Sequence, residues 1–280
     1  MSITLEQATS VQAFQFFPSE HSGSLCCGSL FGSDPDGEPY NWSLAPLGPK
    51  PNPRSSALIE RLEVISLHLD VRNWYAPIPT KFNGKIVRAT DCDDPIALPG
   101  IDGQIWRGVH ADGIVLQRGS GYLLSAGGCP VIVATDGDQL VVAHAGHESL
   151  FPFETSVVKN IAAEFGDPSK VTVRVFWSIQ ATRYTFELSG EHAAGTMKVL
   201  NRLYSEGYWD CVSHFRPGVD CIDLPKIIEK QAEVLGMNIA APNAERFLPD
   251  YHVCDTRTEG KTDDGEPLRN FRNLIAVTWR

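Results

Sequence analysis

The spacing of apolar residues changes along the chain. In ALIERLEVISLHL, residues 57–69, Leu58, Leu62, Ile65 and Leu69 fall three or four apart. That is the spacing of one helix face, and Ser55 or Ser56 stands in front of it as a cap. From residue 85 to 175 the runs become short and β-branched: GIVLQ, GYLLS, PVIVAT and QLVVAH, separated by Gly, Asp and Ser. TDGDQ lies between the last two and contains Asp-Gly, a dipeptide suited to positive φ. PVIVAT and QLVVAH are therefore predicted to be antiparallel neighbours. Both are almost wholly apolar, as expected of strands covered on both faces at the centre of a sheet.

Three further helices are predicted over TSVVKNIAAEF, GEHAAGTMKVLNRLYSE and DLPKIIEKQAEVL, ending before Gly166, Gly207 and Gly236. Thr155 and Asp223 are candidate caps, and the glycines are candidate C′ residues. KVTVRVFWSI reads as a strand between the first two, and NLIAVTWR closes the chain as another. Strands alternating with helices predict an α/β layered single domain over residues 1–280, with a central mixed sheet flanked by helices. The segment 1–54, rich in Gly, Ser and Pro, is expected to hold short strands and loops, and the proline-rich 45–54 stretch and the charged loop 258–267 are the soft spots.

Composition narrows the function classes. The 280 residues are 42% hydrophobic and 21% charged, as in ordinary globular proteins. The net charge of −10 argues against nucleic acid and against an anionic membrane surface as partners. The N-terminus MSITLEQATSVQAFQFF lacks a basic start and an apolar stretch, so no secretory signal is expected, and no run is long enough to span a bilayer. Seven cysteines, scattered and without a CxxC pair, suggest free thiols in a reducing, cytoplasmic setting.

The chemistry concentrates in GGCPVIVATDGDQLVVAHAGHES, residues 127–149. The predicted hairpin has Cys129 at the start of one strand and His144 at the end of its neighbour, so both fall at one edge of the sheet. A histidine beside a thiol lowers its pKa and supplies a base. The same two residues are also soft ligands for zinc or copper. Against this, a cysteine in an apolar strand is most often inert core. The small residues tip the balance: Gly127 and Gly128 precede the thiol, and Ala145-Gly146 follow the histidine. Glycine at such a place often marks the approach of a ligand or another backbone.

The block ADGIVLQRGSGYLLSAGGCPVIVATDGDQLVVAHAG, residues 111–146, resembles the core of the YfiH-like laccase-domain family, also called multicopper polyphenol oxidoreductase laccases. Ala111-Asp112-Gly113 is similar to the family's ADA segment, Gly127-Gly128-Cys129-Pro130-Val131 to its ADC.PV segment, and His144-Ala145-Gly146 to its HAGWRG segment. SLAPLG at 43–48 and the closing NFRNLIAV extend the likeness more weakly. The resemblance implies an α/β fold related to the catalytic domain of cytotoxic necrotizing factor, a glutamine deamidase with a Cys–His dyad. It also implies a His, Cys and His site for zinc or copper, and phosphorolysis or deamination of purine nucleosides or oxidation of phenols. Cys129 and His144 match directly. Asn83, in KFNG, stands where the family's first histidine falls, and His147-Glu148-Ser149 replaces WRG. A metal site of that type therefore lacks one ligand unless His147 or His110 supplies it.

Substrate contacts are expected from Asn83, Gly127, Gly128 and Arg183, the last following a strand together with Tyr184 and Glu187. Cys254 and Arg257 are candidates for the rim. The sequence thus supports an enzyme acting on a small molecule through Cys129 and His144. One form is a YfiH-like enzyme, with zinc or copper possible. Another is a metal-free Cys–His amide hydrolase or glutamine deamidase, with no cofactor. A third reading is a non-catalytic member that binds a ligand or partner.

Overall fold

The computed structural model describes residues 12–15, 25–30, 42–45, 47, 53–79, 84–176, 178–191, 193–240 and 272–279. Asn83, Cys254 and Arg257, and the loop 258–267, lie outside the described residues.

Strands β1 (Gln12–Gln15), β2 (Leu25–Leu30), β3 (Asn73–Tyr75), β5 (Pro95–Leu98), β6 (Gly103–Trp106), β8 (Ser120–Ala126) and β16 (Asn273–Trp279) form a seven-stranded sheet in the order β1-β2-β16-β8-β3-β6-β5. A six-stranded sheet runs β15-β11-β9-β10-β7-β4, built from β4 (Ile86–Arg88), β7 (Gly113–Leu116), β9 (Val131–Thr135), β10 (Leu140–His144), β11 (Thr172–Phe176) and β15 (Asn238–Ile239). A three-stranded sheet, β12-β14-β13, comprises β12 (Thr185–Glu187), β13 (Val212–Arg216) and β14 (Val219–Ile222). The helices are α1 (Pro53–Leu69), α2 (Val157–Ala163), α3 (Ala193–Ser205) and α4 (Leu224–Val234).

The α/β class holds, but the single central sheet is replaced by two sheets packed face to face. Alternation along the strands shows why. Val131 and Val133 of β9, Leu140 and Val142 of β10, and Ile114 and Leu116 of β7 join Tyr122, Leu124, Ile275 and Val277 of the other sheet in one core. The intervening Ile132, Ala134, Val141 and Ala143 face the opposite way, onto α2 through Val158 and Ile161 and α4 through Ile227 and Ile228. Leu58, Leu62, Ile65 and Leu69 of α1 cover the outer face of the seven-stranded sheet. The layers run helix, sheet, sheet, helix.

The predicted hairpin is present. β9 and β10 pair antiparallel with His144 opposite Val131, and both strands are buried throughout. Gly137 of the turn has φ +98°, and Asp136 Oδ1 accepts the N–H groups of Asp138 and Gln139 at 3.0 and 2.8 Å. The closing strand β16 joins the sheet that lacks this hairpin, pairing with β2 and β8.

Helix ends differ from expectation in three places. α1 begins at Pro53, and Ser55 is buried inside it, because proline supplies first-turn φ without needing an N–H partner. Ser156, not Thr155, caps α2 by accepting the Lys159 N–H at 3.2 Å. Gly166 does not adopt the positive φ seen at Gly207 and Gly236. Asp223 caps α4 as predicted, accepting the Lys226 N–H at 3.0 Å. No helix among the described residues is long and apolar enough to cross a membrane.

Candidate functional site

Three adjacent chain segments reach the same end of the six-stranded sheet. Cys129 precedes β9, His144 ends β10, and Asp112 precedes β7. Backbone bonds hold them side by side: the Ala145 N–H donates to the Pro130 carbonyl at 2.9 Å, and the His144 N–H to the Asp112 carbonyl at 2.8 Å. The two-residue alternation sets their side chains. His144 continues the row of Leu140 and Val142, and Asp112 that of Ile114 and Leu116, so both face the neighbouring sheet.

The contacts form a chain of three groups. Asp112 is fully buried, and its Oδ1 lies 3.3 Å from His144 Nδ1. Its Oδ2 accepts the Gly84 N–H at 2.8 Å, so both oxygens are occupied. The Cys129 thiol, half-buried and free, is the second hydrogen-bond partner of the imidazole. Burial alone would push the His144 pKa down. Hydrogen bonds to Asp112 and Cys129, and the charge of both, outweigh burial and raise it to about 9.

Glycines make this packing possible. Gly128 has φ +106°, which turns the chain as it crosses from β8 in one sheet to β9 in the other. A Cβ on Gly113 would stand 2.5 Å from Ala143 Cβ and 2.6 Å from the Val142 carbonyl oxygen. No other residue lets Asp112 approach the His144 strand so closely. From the facing sheet, Tyr122 is fully buried. Burial, then the charge of Asp112, push its ionisation upward, and its hydroxyl has no hydrogen-bond partner among the described residues.

The other predicted residues lie elsewhere. His147, half-buried in a 3-10 turn, places Nδ1 2.5 Å from the Tyr184 hydroxyl and packs edge-on to Phe186. His110 is exposed and forms an isolated parallel bridge with Ile78. Arg183 is half-buried in the 3-10 turn 181–183. Gly127 and Gly128 flank the thiol as expected, and the Gly128 carbonyl accepts the Ile179 N–H at 2.7 Å. Among the described residues, no group of three or more His, Cys, Asp or Glu side chains is arranged to hold a metal ion. Cys129 and His144 offer two soft donors, and the described residues add no third, so they do not by themselves fit the three-ligand site that the resemblance implies.

Asp112 is the member of this cluster that the motif pattern leaves without a role. Its only signal in the sequence is an acid set between Ala111 and Gly113, directly before an apolar strand.

No family model matches the sequence, and no curated protein matches it. Solved structures do. The crystal structure of the hypothetical protein YfiH from Bacillus licheniformis superposes with a TM-score of 0.61 at 13% identity, over 91% of this chain and 92% of that one. Neisseria meningitidis protein NMB0706, of the DUF152 family, gives 0.61 at 15% identity, over 96% and 98%. YlmD from Geobacillus stearothermophilus gives 0.59 at 14% identity, over 96% and 99%. With the layer order and the Cys129–His144–Asp112 cluster in view, the chain has the YfiH-like fold over nearly its whole length.

Proposed function

We propose that this chain is a thiol-dependent amide hydrolase acting on a small carboxamide substrate. The observation that carries the reading is the Asp112–His144–Cys129 relay: a buried carboxylate, an imidazole held charged near neutral pH, and a half-buried thiol in contact with it. Such relays are recognised by geometry and roles, whatever the fold.

The three groups divide the work. An imidazolium next to a sulfur favours negative charge on that sulfur. The Cys129 sulfur attacks the carboxamide carbon, forming a C–S bond while the carbonyl oxygen becomes an oxyanion. In this mechanism backbone N–H groups of the Gly127–Cys129 turn receive that oxyanion. On collapse the C–N bond breaks, and His144 gives its proton to the departing nitrogen, which leaves as ammonia. Water, deprotonated by His144, then attacks the thioester and releases a carboxylate and the free thiol. Asp112 orients the ring throughout and supports its charge.

A second reading rests on the fold and on the HAG resemblance: YfiH-like chemistry on a purine nucleoside or a phenol, with zinc or copper held by Cys129 and His144 and a further ligand. Cys92, Cys129, Cys211 and Cys221 form no disulfide, which supports a cytoplasmic setting for either.

The test pairs metal analysis with turnover. Protein purified without added metal is assayed on glutamine-containing peptides and small carboxamides for ammonia, and on nucleosides and phenols for product. Ammonia release that survives a chelator and disappears in Cys129→Ala supports the hydrolase. Stoichiometric zinc or copper, with turnover of nucleosides or phenols that a chelator abolishes, replaces it with the second reading. No turnover of any of these substrates overturns both and leaves a binding protein.

A further inference from the structure

We propose a second binding site, for a small organic anion, in the pocket between the turn that leaves β10 and helix α3. The pocket holds about 380 Å³ and is lined by His147, Glu148, Phe151, Lys198, Val199 and Arg202, with Gly195 at its edge. That volume suits a small organic molecule.

Three features select the ligand class. First, Lys198 and Arg202 are four residues apart on α3, so their heads reach the same opening. Both are exposed, and neither forms an ion pair among the described residues. On a chain of net charge −10, two neighbouring cations form a local site for a negative group, although Arg202 also feels the charge of Glu206 just past the end of α3. Second, part of the lining is apolar and firmly packed. Phe151 is buried and packs edge-on against Tyr208 with ring centroids 5.5 Å apart, and Val199 packs on the same core. Third, Gly195 presents no side chain to the pocket, and a Cβ there would meet nothing within 4 Å, so this side of α3 leaves room.

These features together suit an oxyanion head, phosphate or carboxylate, on a flat apolar body. The head sits between Lys198 and Arg202, where the guanidinium offers a paired fork and the ammonium a point charge. The body lies against Phe151 and Val199. Glu148, at the far side of His147 with Oε1 3.9 Å from Nε2, keeps the negative group at the α3 end of the pocket by repulsion.

The site does not depend on the thiol, so its test is kept apart from turnover. Calorimetric titrations at low salt use phenyl phosphate, phenylacetate, inorganic phosphate and benzyl alcohol, on wild type and on Cys129→Ala. Expected is binding of an aromatic anion, equal in the two proteins, with benzyl alcohol silent and inorganic phosphate weaker for want of the apolar body. The tighter of phenyl phosphate and phenylacetate names the preferred head. In Lys198→Gln/Arg202→Gln, whose exposed substitutions should leave the melting temperature unchanged, affinity should fall about tenfold or more, as for loss of charge-assisted contacts. Equal affinity in the double variant, or no binding of either aromatic anion at millimolar concentration, overturns the proposal. Binding that disappears in Cys129→Ala overturns it too, since it would move the ligand to the thiol.

Discussion

Asp112 and His144 are joined twice, side chain to side chain at 3.3 Å and backbone to backbone at 2.8 Å. The backbone bond holds the His144 Cα beside Asp112, and the side-chain contact holds the ring. The sheet fixes where the base stands, and the carboxylate orients the ring and supports its charge. Each element of this arrangement gives a separate expectation.

Cys129→Ala and His144→Ala should each lower turnover by several orders of magnitude, with the double variant little worse than either, because groups that act as a unit are lost together. Asp112→Asn keeps shape and removes charge, so a drop of about 10³ to 10⁴ with an unchanged KM is expected. Steady-state kinetics on the accepted amide checks all three. Additive losses in the double variant would separate the thiol from the imidazole.

Iodoacetamide near pH 7 should modify Cys129 before Cys92, Cys211 and Cys221. Burial, then neighbouring acids, push the Cys92 thiol up to about 11 and Cys211 up to about 12, and Cys221 is buried. Cys129 is half-buried and faces a charged imidazole. Peptide mapping after brief labelling reads the order. Prior modification of Cys92 or Cys211 would contradict it.

The raised pKa of His144 predicts a pH dependence of stability. A proton bound more tightly in the folded state, at a pKa of about 9 against an ordinary 6.5, stabilises fully below about pH 6.5. That contribution, at most about 3 kcal/mol, declines as pH rises through 9. Denaturant midpoints of wild type measured against His144→Gln should therefore converge between pH 6.5 and 9.5. A constant difference across that range would place the charge elsewhere.

Gly113→Ala should damage both fold and function. The added Cβ meets Ala143 Cβ and the Val142 carbonyl at 2.5 and 2.6 Å, and β7 must back away from β10. A loss of about 1 to 3 kcal/mol is expected, as for overpacking. The residual activity of the folded fraction should also fall, since Asp112 retreats with β7. Full specific activity in the folded fraction would show that the carboxylate tolerates the shift.

The hairpin was legible because its information is local. An Asp-Gly turn fixes the register, and the register brings the residue two before Val131 and the residue opposite Val131 to one edge. The helix face of Leu58, Leu62, Ile65 and Leu69 was legible for the same reason. The two-sheet arrangement was not. β16 is buried at every position, and a strand apolar on both faces gives no sign of which sheet it enters. Asp112 was missed because its partners, Gly84 and His144, lie 28 and 32 residues away, and nothing in a single acid before a strand encodes such contacts. The resemblance located the pieces but assigned Asp112 no task.

The segment Gly127–Pro130 is where the chain leaves one sheet and enters the other, so the sulfur rides on the seam between two layers while the imidazole and carboxylate belong to one of them. Turnover is thereby a gauge of how the layers are aligned. A substitution that lets one sheet slide over the other, deep among Tyr122, Ile275 and Val142, will be felt at the thiol before it is felt in the melting curve. The helix beyond β10 reaches the same seam from outside, because Asn160 of α2 donates to the Gly84 carbonyl at 2.9 Å and Gly84 in turn holds Asp112.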